Sequence, residues 1–351
     1  MNESRQDSLF MRALRRESVE RTPIWLMRQA GRYLPEYLAT RAQAGDFLTL
    51  AGTPELAAEV TLQPIRRYGF DASILFSDIL ILPHVMGLGL GFTPGEGPKF
   101  ERPLRDPADI AKLPRPDPND DTASVMEAVR LIRRDLPADV PLIGFAGSPW
   151  TVATYMVEGG SSRDFKRAKK MLLEHPEESD RLIAHLADST GDYLVAQVEA
   201  GADALMVFDS WGGVLSPAMF ERFSLAGMQR IVDRVRQAQP GVPIILFAKG
   251  CGGMLETLAD TGCDALGLDW TTRLGDARRR VGDRVALQGN LDPVVLTTSP
   301  EVIRSAVADV LEDFGPGSGH IFNLGHGITP DVPPEHVQVL VETVRRLSRR
   351  E

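Results

Sequence analysis

The sequence predicts an α/β fold, a single (β/α)8 TIM barrel spanning residues 1–351 as one domain. Three observations predict it. Eight short apolar runs are bounded by turn residues, helix-like patterns lie between them, and small or polar residues follow almost every run.

The first run, residues 24–27 (Ile-Trp-Leu-Met), ends on Arg28, and Arg32 follows four residues later. If the chain turns helical after Met27, that spacing sets both guanidiniums on one side, each a planar fork suited to a carboxylate. The remaining runs are 72–76, 142–146, 204–208, 244–248, 265–268, 285–288 and 321–324. Continuous apolar runs of this length suit strands buried on both faces. Helical patterns cover 54–68, with Leu56, Val60 and Ile65 on one face, then 122–136, 163–173 and 177–200. Further on they cover 217–238, 253–260, 273–281 and 300–314. Thr53-Pro54 and Ser299-Pro300 supply start signals, and Gly69, Gly201 and Gly262 supply stops. Residues 336–349 close the chain as an amphipathic helix with Val337, Leu340, Val341, Val344 and Leu347 inward. A doubly wound open sheet lacks support, because no GxGxxG turn follows any strand.

One stretch breaks the alternation. Residues 83–121 are crowded with Gly and Pro, which excludes a long helix and predicts an inserted loop or hairpin after strand two, as part of the site wall or a lid.

Of the 351 residues, 43% are hydrophobic, and no apolar stretch is long enough to cross a bilayer. The N-terminal residues are polar and include acidic ones, with no signal-peptide core, so a cytoplasmic protein is expected. Cys251 and Cys263 make neither a disulfide framework nor a CxxC pair. A net charge of −9 argues against nucleic acid as a partner. An anionic ligand would need cations focused in a cleft.

In a (β/α)8 barrel the chemistry lies where the strands end. Those positions hold Arg28 and Arg32, Ser77 and Asp78, Ser148 with Tyr155 a turn onward, Asp209-Ser210-Trp211, Lys249-Gly250, Asp269-Trp270, Asn290 with Asp292, and His326 between Gly325 and Gly327. Singly each has a plain explanation, such as Asp209 or Asp269 capping a helix. Together they predict an enzyme site. No HExxH or HxH spacing supports a metal, Ser210 lacks a GxSxG elbow, and Cys251 has no histidine near it in sequence. Anion binding, acid–base work and electrostatic stabilisation remain.

The motifs MRQAGRYLPEY, FSDILILP, GFAGSPWTVATYMVEGG, FDSWGG, QGNLDP and FNLGHGI, in that order along the chain, resemble the uroporphyrinogen decarboxylase family. The resemblance implies a homodimeric (β/α)8 barrel. It also implies cofactor-free decarboxylation of the four acetate arms of uroporphyrinogen III to methyls, giving coproporphyrinogen III and four CO2. By motif, Arg28 and Arg32 would bind substrate carboxylates, with Gln29, Ala30 and Gly31 lining the same loop. Asp78 would face the centre of the macrocycle, and Tyr155, Ser210 and His326 would complete the contacts.

The chemistry of the groups agrees. Four pyrrole N–H donors can converge on one carboxylate, which is acceptor-only, and Asp78 would stabilise the cationic ring formed when a pyrrole α-carbon is protonated. Arg28 is a carboxylate anchor and a candidate acid, although a guanidinium is a reluctant proton donor. Asp78, Tyr155, His326 or a bound water could relay protons instead. Two other readings compete. Methyltransferases of the same superfamily use a zinc held by a His-x-Cys pair, where this chain has Lys249-Gly250-Cys251. A non-catalytic tetrapyrrole binder would keep the arginines but has no need of Asp78.

Overall fold

The computed structural model describes residues 3–93 and 97–350. Seven of the predicted runs form one parallel sheet: β1 (Ser73–Ile74), β4 (Leu142–Gly147), β5 (Ala204–Asp209), β6 (Ile244–Ala248), β7 (Ala265–Gly267), β8 (Ala286–Gln288) and β9 (His320–Ile321). Neighbours in the sheet are neighbours in that sequence, with registers such as Ser73↔Leu142, Ile143↔Ala204, Leu205↔Ile244 and Leu287↔His320. Each helical connection therefore crosses to the adjacent strand, and all seven strands end on the same side. The sheet is strongly curled. Gln288 on β8 accepts a hydrogen bond from the Trp25 indole (2.9 Å) and reaches Met206 on β5 (Nε2 to Sδ, 3.7 Å), although β5 and β8 are not adjacent.

Residues 24–27 do not form the expected full strand. Ile24 alone makes a parallel bridge, to Phe322, while the Phe322 N–H donates to Pro23 O (2.8 Å) and the Asp71 N–H to Ile24 O (2.9 Å). The segment thus bonds to chain on both sides. Beyond Trp25 side chains take over the ladder: Leu26 N–H donates to Gln29 Oε1 and Met27 N–H to Asn323 Oδ1. The chain then turns at Arg28, in the left-handed region at φ 62°, so Arg28 and Arg32 do not share a helix face.

Two helices match their expected bounds, Pro54–Tyr68 and Pro300–Phe314, the second capped by Ser299 Oγ accepting from Val302 N–H. Expected helix 163–173 starts only at Lys166, because Phe165 is left-handed and its N–H donates to Ser162 Oγ. Expected helix 217–238 is interrupted by a wide turn over Phe220–Leu225. A further helix, Pro149–Glu158, follows β4 directly. Ser148 Oγ accepts from Thr151 N–H at its start and Pro149 sits in its first turn, a start signal present in the sequence but not read as one.

Within 83–121, β2 (Leu90–Thr93) and β3 (Gly97–Phe100) pair antiparallel, with residues 94–96 outside the described ones. The pair leans on the end of the Pro149–Glu158 helix: Phe100 N–H donates to Gly159 O, Leu104 N–H to Met156 O, and Lys99 bridges Gly160. Among the described residues no helix is long and apolar enough to cross a membrane.

At the N-terminal ends of the strands one device recurs three times. Asp71, Asp203 and Asp264 precede β1, β5 and β7. Each donates its N–H to the carbonyl of the residue opening the preceding segment (Ile24, Leu142, Ile244) and accepts that residue's N–H on its carboxylate. Each carboxylate also holds arginine: Arg21 on Asp71, Arg133 and Arg5 on Asp203, and Arg236 on Asp264. The carboxylate thus fixes strand register while the arginine neutralises it.

Candidate active site

At the opposite ends of the same strands the charges are arranged differently. Arg28 extends across Gly327, where an added Cβ would lie 2.7 Å from Arg28 Cγ, so the glycine after His326 makes the slot for the arginine side chain. The loop beneath is held from inside. Gln29 is fully buried, its Oε1 accepting from Leu26 N–H and its Nε2 donating to Ala72 O, while its own carbonyl accepts from the Tyr33 hydroxyl (2.9 Å). Ala30 and Gly31 are half-buried, and their N–H groups make no hydrogen bond among the described residues. Arg28 and Arg32 are exposed and form no ion pair there.

Asp78 lies just past β1. Its Oδ1 accepts from Leu80 N–H (2.7 Å), capping the turn that follows, while Oδ2 has no donor among the described residues. Burial raises its pKa, and the Leu80 N–H and the nearby Arg28 guanidinium pull it back. The result is a carboxylate with one oxygen fixed and one free.

Tyr155 comes from the Pro149–Glu158 helix. Burial raises its phenol pKa, and the adjacent Trp211 side chain, Asp78 and Arg28 all act on it, which brings residues after β1, β4 and β5 to one place with the first loop. The helix is anchored by Asp209 at the end of β5. This fully buried carboxylate accepts from Ser148 Oγ (2.7 Å), Thr151 Oγ1 (2.6 Å) and Ser224 Oγ. Trp211 then donates its N–H to Thr151 Oγ1, and its carbonyl accepts from the Trp150 indole. Ser210, between Asp209 and Trp211, is half-buried, and its hydroxyl makes no hydrogen bond among the described residues. Asp209 therefore supports the site rather than capping one helix, which sequence spacing could not reveal, since its partners lie 15 to 61 residues away.

His326 completes the circle. Its ring centroid lies 5.9 Å from that of Phe247. Burial, then the cations Arg28 and Lys249, push its pKa down to about 4, with Asp269 opposing. The imidazole is neutral at physiological pH. Asp269 joins two loops, accepting from the N–H of Gly250 after β6 and from the N–H and hydroxyl of Thr271 on its own loop. The structure thus gathers Arg28, Asp78, Tyr155 and His326 directly. Arg32 follows on the same loop as Arg28 and Ser210 lies between Asp209 and Trp211, while the Gln29 side chain turns inward. Sequence reading gave no role to Lys249, Gly327 or Trp211; the glycine could have been suspected only from its place beside His326.

The C-terminal end of the sheet offers unpaired cations on the first loop, a carboxylate with a free oxygen just past β1, and a neutral imidazole beside the Phe247 ring. It can hold a polyanion whose centre is a hydrogen-bond donor.

Comparison with known proteins points the same way. Residues 5–347 match the family described as Uroporphyrinogen decarboxylase (URO-D). A uroporphyrinogen decarboxylase of Alkalilimnicola ehrlichii is 62% identical over 343 residues, 97% of this chain and 94% of that protein. One from Pseudoalteromonas translucida is 59% identical, covering 100% of this chain and 99% of its own. Among solved structures, a methyltransferase from Methanosarcina mazei superposes with a TM-score of 0.80 over 97% of this chain and 99% of that one. At 22% identity that likeness speaks to the fold alone. With the family match running almost end to end, this chain belongs to the uroporphyrinogen decarboxylase family.

Proposed function

We propose that this chain decarboxylates the four acetate arms of uroporphyrinogen III to methyls, giving coproporphyrinogen III and four CO2, without a cofactor. The observation that carries the assignment beyond family membership is Asp78, half-buried, bonded at Oδ1 only and without an ion-pair partner among the described residues. A free carboxylate oxygen in a cleft is what four converging pyrrole N–H groups need.

In this reading a pyrrole α-carbon takes a proton, and the ring becomes cationic. The bond between the acetate methylene and its carboxylate then breaks, its electrons flow into the ring, and CO2 leaves. A proton adds to the exocyclic methylene to give methyl, and the α-carbon gives its proton back. Each arm consumes one proton. Asp78 stabilises the cation as it forms, an electrostatic contribution of about 3 kcal/mol for a key group. Arg28 and Arg32, with the N–H groups of Ala30 and Gly31, hold carboxylates at the rim, and Gln29 keeps their loop in shape. Tyr155, Ser210 and the neutral His326 contact the macrocycle or its arms.

The zinc-dependent methyl transfer reading is not favoured, because the position two residues before Cys251 is Lys249, and the Cys251 thiol is buried against Lys249 O. We read the curled sheet, with residues 23–25 bonded on both sides, as a closed (β/α)8 barrel carrying the β2–β3 hairpin as its insertion. We further propose a cytoplasmic homodimer; a light-scattering mass of one chain at micromolar concentration would refute the dimer. The function is tested by anaerobic incubation with uroporphyrinogen. Release of CO2 and stepwise loss of carboxylates is expected, and unchanged ligand would leave only a binder. Asp78→Asn should lower turnover by about a hundredfold or more; near-normal turnover would remove Asp78 from the mechanism.

A further inference from the structure

Lys249 is the cation of the cleft that the mechanism leaves unused. Its N–H still follows the sheet ladder, donating to Asp209 O, so by strand alternation its side chain lies on the face of Phe247, whose ring meets His326. The residue is half-buried and forms no ion pair among the described residues. The nearby carboxylates already have donors: Asp209 three hydroxyls, and Asp269 the backbone N–H of Gly250, next to Lys249, together with the N–H and hydroxyl of Thr271. What Lys249 does meet is Trp270, with Nζ 5.1 Å from the ring centroid. Such a contact at a partly open site is worth about 0.5–1 kcal/mol and occupies none of the three ammonium N–H donors with an acceptor oxygen. A half-buried ammonium that the fold leaves without an acceptor invites one from a ligand.

We propose that Lys249 is a second carboxylate subsite, binding one peripheral carboxylate of the substrate near His326 and apart from the one held by Arg28. The inference rests on the reading of the substrate as a porphyrinogen polycarboxylate. Lys249 shares the face of Phe247, whose ring centroid lies 5.9 Å from that of His326, and Arg28 crosses Gly327, the residue after His326, so both cations lie near the one imidazole. A puckered octacarboxylate seated against that imidazole would bring different carboxylates to the two cations. The carboxylate could belong to an acetate arm or to a propionate arm; the chemistry at Lys249 is the same.

The test compares the parent with Lys249→Met, which keeps length and the Trp270 contact, and Lys249→Arg, which keeps the charge. Loss of a charge-assisted hydrogen bond should raise KM for uroporphyrinogen about tenfold in the methionine variant, with kcat changed much less, and arginine should restore most of it. The Kd of coproporphyrinogen, which retains only propionates, separates the two sources. If KM for uroporphyrinogen rises and this Kd does not, Lys249 binds an acetate arm; if both rise, it binds a propionate arm. Unchanged values for both ligands, in a protein whose parent turns over uroporphyrinogen, would overturn the subsite. A parent that releases no CO2 would instead overturn the function itself.

Discussion

At the N-terminal ends of the strands, Asp71, Asp203 and Asp264 each grip a backbone N–H and at least one arginine. At the C-terminal ends, Asp78, Arg28, Arg32 and Lys249 have no ion-pair partner among the described residues. The residue types are the same. The difference is where the opposite charge comes from: at one end the fold supplies it, and at the other it is left for a ligand. A buried ion repaid by geometry costs little, but one of its partners removed costs much. An unpaired charge in a cleft does the reverse, weighing on the fold and contributing only when ligand is bound.

The contrast can be broken first at Asp203, 2% exposed and shared by Arg5 and Arg133. Asp203→Asn leaves two arginines uncompensated and should cost about 3 kcal/mol of stability by urea unfolding, with kcat of the folded enzyme retained. A loss of kcat at full stability would place Asp203 with the site. Next in size comes Arg32→Gln. Removing one rim cation should raise KM about tenfold while stability stays within about 0.5 kcal/mol of the parent. A stability loss with unchanged KM would make Arg32 a structural residue.

The same contrast carries a pH dependence. His320, fully enclosed and stacked on Phe314, and His326 in the cleft both have pKa values lowered from 6.5 to about 4, chiefly by burial. The unfolded chain therefore binds protons first on acidification. Their share of stability is complete above about pH 6.5 and is lost as pH falls through 4. Denaturant midpoints should decline across that window, and His326→Gln should flatten the decline without removing it, since His320 remains. A midpoint independent of pH from 6.5 to 4 would contradict the neutral histidines.

How much of this was legible in the sequence depended on whether the bonds involved are local. Apolar runs gave the seven sheet strands, because strands buried on both faces are written as continuous apolar stretches. They misled at residues 24–27, where Gln29 and Asn323 side chains replace backbone partners, and Asn323 is 296 residues from the N–H it accepts. The helix after β4 is written in Ser148-Pro149, a local start signal that coincides with the strand-end residues. The motif around Asp78 named the carboxylate, but its single fixed oxygen is a property of the folded Leu80 turn. Asp209 looked like a cap and proved to be a buried junction of three hydroxyls from two other segments. Lys249 stood in plain view after its strand; its lack of an ion partner could not be read without the fold.

The most direct test of the contrast is the melting temperature of Asp78→Asn, measured alongside its turnover. Asparagine can still accept from Leu80 N–H through Oδ1, while the charge that burial disfavours is gone. The expected result is a melting temperature equal to or above that of the parent, in a protein that has lost its decarboxylase activity. A lower melting temperature with turnover intact would mean that Asp78 serves the fold, and that the charges at this end of the sheet are not reserved for a ligand.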